Sequence, residues 1–394
     1  KAIRGLELVE MADHGDSSLC CGGGSNLETY DADLMREVSG KRLEQDLDTG
    51  AEAIITACTQ CERTLTAAAR KERARIRVMD ITELHERIKQ AALRIRPHVM
   101  ATPLFPSQYL SEMNGGSVYL KLESEQVTGS FKARGALNKV LALKPENKAN
   151  GLVTASSGNH ALGFARALSI SGDSGVIYLP ENAQPSKVEA LRHYGVELVF
   201  HGQSCLEAEM QARAVADEKG MVWVSPYNDP LVIAGQGTVG KEILERLPEV
   251  DVVLATVGGG GLISGLAAWI KCESPAVEVI GCLPENAPEM YLSVLKGEVV
   301  GLEEPLETLS DGSAGGIEPG AITFDLCRQL VDDYVLIGEK DIAEAIRWMV
   351  GRHHKIIEGA AGVALAAFMK NTARFAGKNV AIVICGANID TRTL

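Results

Sequence analysis

From about Ile81 to the end of the chain, short apolar runs alternate with stretches in which apolar residues recur every three or four positions. Val118-Tyr119-Leu120, Gly151 to Thr154, Gly175 to Leu179, Val252 to Val257 and Val380 to Ile384 read as strands, and segments such as Ser186 to His193 as helices. Strands and helices in alternation imply an α/β architecture built on mostly parallel sheets flanked by helices. Residues 1 to about 78 differ: a helical pattern runs from Asp31 to Thr49, Ala53-Ile54-Ile55 is strand-like, and close pairs of cysteines flank them. The expected organisation is a small α/β cysteine-rich segment over residues 1–80 and a large domain over residues 81–394, with a subdomain at about 154–221 inserted in it. The basic stretch Arg70 to Arg77 reads as a solvated helix face at the join.

Composition narrows the function classes. The 394 residues carry a formal charge of -13, which argues against a nucleic-acid partner, because phosphate backbones are bound by clustered Lys and Arg. The most apolar stretch, Gly261 to Ile270, is too short to span a membrane, and a cytoplasmic location is expected. Forty glycines exceed ordinary usage and point to ligand loops built from backbone. Nine cysteines include Cys20-Cys21 and the Cys58/Cys61 pair, which suit metal ligation in a reducing compartment better than disulfides.

Three blocks carry candidate chemistry. In Thr128-Gly129-Ser130-Phe131-Lys132-Ala133-Arg134, a lysine sits in a turn-rich stretch feeding a helix; if buried, its pKa falls and its amine becomes a nucleophile. Ser156-Ser157-Gly158-Asn159-His160 follows a strand and opens a helix, so hydroxyls, an amide and free N–H groups gather as a cradle for a carboxylate. Gly258-Gly259-Gly260-Gly261 runs into a helix beginning near Leu262, where backbone N–H groups and the helix dipole can hold a phosphate. A dinucleotide fingerprint fails by register at this loop. Gly235-Gln236-Gly237-Thr238-Val239-Gly240-Lys241 begins like a nucleotide phosphate loop, but Glu242 stands where a hydroxyl should ligate magnesium.

In this order, and with Arg96 to Leu104, Pro180-Glu181-Asn182-Ala183, Ser225 to Thr238 and Glu358-Gly359-Ala360-Ala361-Gly362, the blocks resemble the threonine dehydratase and serine racemase group of fold type II pyridoxal-phosphate enzymes. The resemblance covers about 310 residues. It implies that Lys132 bonds the cofactor, Phe131 packs against the ring, Asn159 meets the ring hydroxyl, and Gly258 to Gly261 with Leu262 hold the phosphate. Cys385-Gly386-Ala387-Asn388 stands where the family commonly has Ser-Gly-Gly-Asn beside the pyridine nitrogen, and a neutral thiol there makes the ring a weaker electron sink. Ser156, Ser157, Asn159 and His160 are the expected substrate contacts.

The implied reaction is an ammonia-lyase: Lys132 takes the Cα proton, the β-hydroxyl departs, and hydrolysis yields a keto acid and ammonia. Amino-acid racemisation is the alternative, because Ser157 stands where racemases carry the serine that reprotonates Cα from the opposite face. Leu283 lies where an acidic metal ligand would be expected of an animal-type racemase, with Glu289 as a remaining carboxylate. A homo-oligomer acting on a small amino acid is expected, in the short form without a regulatory domain. Residues 1–80, with Cys20-Cys21-Gly22 and Cys58-Thr59-Gln60-Cys61, are similar to the C-terminal part of the cysteine-rich CCG domain of heterodisulfide-reductase-like and glycolate-oxidase-like subunits. That similarity makes Cys20, Cys21, Cys58 and Cys61 candidate iron–sulfur ligands, although Thr59 replaces the usual proline and an upstream cysteine is missing. An iron–sulfur electron-transfer module is thus the more distant alternative.

Overall fold

The computed structural model describes residues 38–44, 53–55, 77–79, 81–302 and 306–390. The chain divides into two compact units, Lys1–Glu86 and Arg87–Leu394. In the first, residues 38–44 are helical, and strands β1 (Ala53–Ile55) and β2 (Arg77–Met79) pair in parallel. Cys20, Cys21, Cys58 and Cys61 lie outside the described residues, as does most of the helical pattern read over residues 31–49.

Helix α1 (Ile81–Ile95) leads into the second unit, which holds two sheets. The larger has six strands in the order β11-β10-β9-β12-β4-β3: β3 (Leu104–Pro106), β4 (Ser117–Leu122), β9 (Val252–Thr256), β10 (Glu278–Pro284), β11 (Asp333–Ile337) and β12 (Asn379–Ile384). All its pairs are parallel except β3 with β4, at the edge. β9 and all but the first residue of β12 are buried, as parallel strands covered on both sides should be.

The smaller sheet, in the order β7-β6-β5-β8, is wholly parallel: β5 (Leu152–Ala155), β6 (Gly175–Leu179), β7 (Glu197–Phe200) and β8 (Val222–Trp223). Its side chains sort with a period of two. Leu152, Ile177 and Leu179 join one core with Ala136, Leu137 and Phe164; Val153, Ala155, Val176 and Tyr178 join another with Ala208, Ala212 and Val215. The helices of the first core are α3 (Lys132–Ala142), α4 (Asn159–Ser171) and α5 (Pro185–Arg192), which contributes Val188 and Leu191, and the helix of the second is α6 (Cys205–Lys219); α2 (Gln108–Asn114) precedes β4.

The remaining helices are α7 (Pro230–Arg246), α8 (Gly261–Glu273), α9 (Glu289–Lys296), α10 (Ile322–Leu330), α11 (Glu339–His353) and α12 (Gly359–Lys370). The segment that begins like a nucleotide loop, Gly235 to Lys241, is the interior of α7. Its glycines admit neighbouring backbone: a Cβ on Gly235 would stand 2.6 Å from the Arg134 carbonyl oxygen, and one on Gly240 2.9 Å from that of Leu266. They serve close packing of α7 against α3 and α8, so no nucleotide loop exists there.

A buried four-charge network anchors α3. The Glu123 carboxylate accepts from Arg134 Nε at 2.7 Å and Nη2 at 2.8 Å, and Glu242 on α7 accepts from Arg134 Nη1 at 2.6 Å and from Lys121 Nζ at 2.5 Å. Burial pushes the Glu123 carboxyl up, but the guanidinium of Arg134 and the ammonium of Lys121 outweigh it and hold the group ionised. Two cations and two anions cancel, which makes such burial tolerable. Arg134 is two residues beyond Lys132, so the network fixes the helix end that carries the candidate nucleophile.

Candidate active site

Lys132 begins α3, and three sets of contacts gather the other candidates around it. The loop before it pairs with the end of β12: Phe131 N donates to Cys385 O at 3.1 Å, Ala387 N to Gly129 O at 2.8 Å, and Ser130 bridges to Gly386. This brings the Cys385 thiol beside Lys132. From the second side, α4 approaches so closely that a Cβ on Gly163 would lie 2.9 Å from the Lys132 carbonyl oxygen, which brings the Ser156–Asn159 turn near. From the third, Lys132 Nζ donates to Pro226 O at 2.7 Å, while the neighbouring Tyr227 ring covers the glycine loop. A Cβ on Gly259 would stand 2.5 Å from Cγ of that ring, and one on Gly261 3.0 Å from the Tyr227 Cα.

The electrostatics suit an amine nucleophile. Loss of water around Lys132 lowers its pKa from 10.5 to about 8, against the opposing pull of the Glu358 carboxylate. The Phe131 ring lies under the amine, with Nζ 5.3 Å from its centroid. Burial raises the Cys385 thiol well above its ordinary range, so it is neutral at physiological pH. Gly260, in the left-handed region at φ 85°, turns the chain into α8, and no side chain caps that helix. The N–H groups of its first turn, Leu262 included, therefore lack an intrahelical partner and are available to an anion.

A carboxylate that the motifs left without a role stands among these groups. Glu358, buried just before α12, accepts from Asn159 Nδ2 at 2.9 Å on each oxygen and from Asn388 N at 3.2 Å. Asn388 Nδ2 in turn donates to Asn159 Oδ1 at 2.6 Å and to Thr128 O at 2.8 Å. Burial raises the Glu358 carboxyl to about 7, moderated by the bond from Asn159. A sequence signal existed: α12 is buried from Gly359 to Phe368, and an acid at the head of such a helix needs partners. Pro226 and Tyr227 were equally missed as site residues, since their role is made by position alone.

Among the expected substrate contacts, His160 has its ring turned inward. The His160 imidazole faces the small sheet, its Nε2 3.0 Å from Thr154 Oγ1 and 3.1 Å from Val224 O, and burial lowers its pKa to about 3. The side chain is thus a core group, and a contact to substrate from His160 would come from its backbone N–H in the first turn of α4. Ser156 and Ser157 remain half-buried in the turn, where Ser156 Oγ accepts from Gly158 N at 3.2 Å. Leu283 and Glu289 are both buried, and among the described residues no three His, Cys, Asp or Glu side chains gather as a metal site.

Residues 95–386 match the family model described as pyridoxal-phosphate dependent enzyme, nearly three quarters of the chain. The chain belongs to that family. An L-threonine ammonia-lyase of Thermotoga maritima is 44% identical over 309 residues, spanning 78% of this chain and 76% of the relative. Threonine deaminase isoform 2 of Solanum lycopersicum superposes with a TM-score of 0.76 at 33% identity, covering 79% of this chain and 91% of that one. Maize serine racemase superposes with a TM-score of 0.74, also at 33% identity, covering 78% and 94%. Residues 1–66 match a model described as a cysteine-rich domain.

The site fits the family's cofactor by its own construction. A half-buried amine of lowered pKa, a neutral thiol, an amide and an uncapped helix start behind four glycines are groups of the kinds that would meet pyridoxal phosphate covalently, at its ring and at its phosphate.

Proposed function

We propose that this chain is an ammonia-lyase that converts a small β-hydroxy amino acid, L-threonine or L-serine, to a 2-keto acid and ammonia. The observation that carries the reading is the Lys132 amine, held at 2.7 Å by Pro226 O with its pKa near 8, among the glycine loop, Asn159 and Cys385. Pyridoxal phosphate, when bound, supplies the electron sink for charge developing at Cα. Gly258 to Gly261 and the N–H of Leu262 would hold its phosphate, Cys385 would face the pyridine nitrogen, Asn159 would bond the ring hydroxyl, and Phe131 would pack on the ring. Ser156, Ser157 and the start of α4 take the substrate carboxylate. Lys132 is basic enough to take the Cα proton, and a β-hydroxyl is the leaving group that makes loss of ammonia the outcome. The relatives named threonine ammonia-lyase and threonine deaminase support this choice.

Release of 2-oxobutanoate from L-threonine or pyruvate from L-serine by the cofactor-loaded protein is the expected result. Absence of keto acid from every L- and D-hydroxy amino acid tested refutes the reading.

Ser157 and the likeness to maize serine racemase favour a second activity at the same site, racemisation of serine. Ser157→Ala should then cut exchange between L- and D-serine by about a hundredfold while changing L-threonine elimination by less than about tenfold. Equal loss of both would assign Ser157 to the carboxylate alone. A cytoplasmic homo-oligomer accords with this reading, and Cys20, Cys21, Cys58 and Cys61 are candidate ligands of an iron–sulfur cluster. Broad brown absorbance would reveal such a cluster beside the sharper cofactor band.

A further inference from the structure

We propose that Glu358 is a positioning residue for the cofactor ring, acting by fixing which way the Asn159 amide faces. The inference rests on the cofactor reading above. An amide offers a donor at one end and an acceptor at the other, and only its partners decide which end faces a ligand. Here both ends are claimed. Glu358 accepts from Asn159 Nδ2 with both oxygens at 2.9 Å, and the Asn388 amide, itself tied to Thr128 O at 2.8 Å, donates to Asn159 Oδ1 at 2.6 Å. Rotating the Asn159 amide by half a turn would set its oxygen against the carboxylate and its NH2 against the Asn388 NH2. Both clashes are avoided only in the orientation observed, in which one N–H of Asn159 can serve both Glu358 oxygens and the second would be the donor to a ring hydroxyl.

Glu358 is itself held in place. Its backbone N donates to Gly386 O at 3.1 Å, and a Cβ on Gly386 would collide with its carboxylate oxygens. Gly386 follows Cys385, so one carboxylate ties the Asn159 amide to the backbone that presents the thiol. The lysine loop joins the same assembly through Thr128 O and the Gly129–Ala387 bond.

A cycle of variants read by cofactor affinity tests the proposal. Pyridoxal phosphate is titrated into the cofactor-free protein and followed by absorbance for the unaltered chain, Glu358→Gln, Asn159→Ala and the double variant. Glu358→Gln keeps the size but puts a donor where an acceptor is needed, and loss of a charge-assisted bond predicts affinity weakened roughly tenfold to a hundredfold. Because Glu358 acts through Asn159, the double variant should bind no worse than Asn159→Ala. Glu358→Asp, which keeps the acceptor, should bind more tightly than Glu358→Gln, and it serves for the same cycle if Glu358→Gln does not fold. Full affinity in Glu358→Gln, or losses that add in the double variant, overturns the role of Glu358 while leaving the cofactor reading intact. Failure of the unaltered protein to take up cofactor sinks both.

Discussion

Covalent capture of the cofactor by Lys132 should follow the titration of an amine near pH 8 rather than an ordinary lysine near 10.5. Burial strips water from the ammonium and favours the neutral amine, the form that attacks a carbonyl. At pH 7 an ordinary lysine amine is neutral in roughly three molecules per ten thousand, and one with a pKa near 8 in roughly one in ten, about a three-hundredfold gain in the reactive form. The assay mixes cofactor-free protein with pyridoxal phosphate across a pH series and follows growth of the near-visible band. The rate should climb about tenfold per pH unit up to about pH 7.5 and flatten above about pH 8.5. The Glu358 carboxylate raises the Lys132 pKa, so Glu358→Gln should move the inflection to lower pH. A rate that keeps climbing through pH 10 would refute the desolvated-amine argument, because the lysine would then be titrating as it does in water.

Two further outcomes follow from the packing. Gly259→Asp places a Cβ 2.5 Å from the Tyr227 ring and a negative charge beside the phosphate cradle, so cofactor affinity should fall tenfold or more, about 1.4 kcal/mol, in the same titration. Glu123→Gln breaks the buried network around Arg134 and should destabilise the protein by about 3–5 kcal/mol, read by chemical or thermal unfolding; a change below about 1 kcal/mol would mean that water reaches the guanidinium.

What could be read from the sequence was what side chains or their absence declare locally. The lysine before a helix, the four glycines after a strand and the Ser-Ser-Gly-Asn turn each name a chemistry, and the structure brings them together at Lys132. Strand positions were equally open, with Gly175 to Leu179 found as expected, because period-two and buried runs are local signals. Glu358 was hidden because its meaning comes from Asn159, 199 residues away in the chain. The direction of the His160 ring was hidden for a similar reason: the first turn of α4 rotates the imidazole toward Thr154. The glycines of α7 imitate a phosphate loop because close helix packing and anion binding both call for the same missing side chain.

Everything proposed for the site turns on Lys132 as the cofactor-bearing nucleophile. The protein loaded with pyridoxal phosphate should be reduced with borohydride, digested and mapped by mass spectrometry. One peptide should carry the reduced cofactor, modified at Lys132, and that mass should be lost in Lys132→Ala. A reduced adduct on a different lysine, or the same adduct persisting in Lys132→Ala, would contradict that role for Lys132.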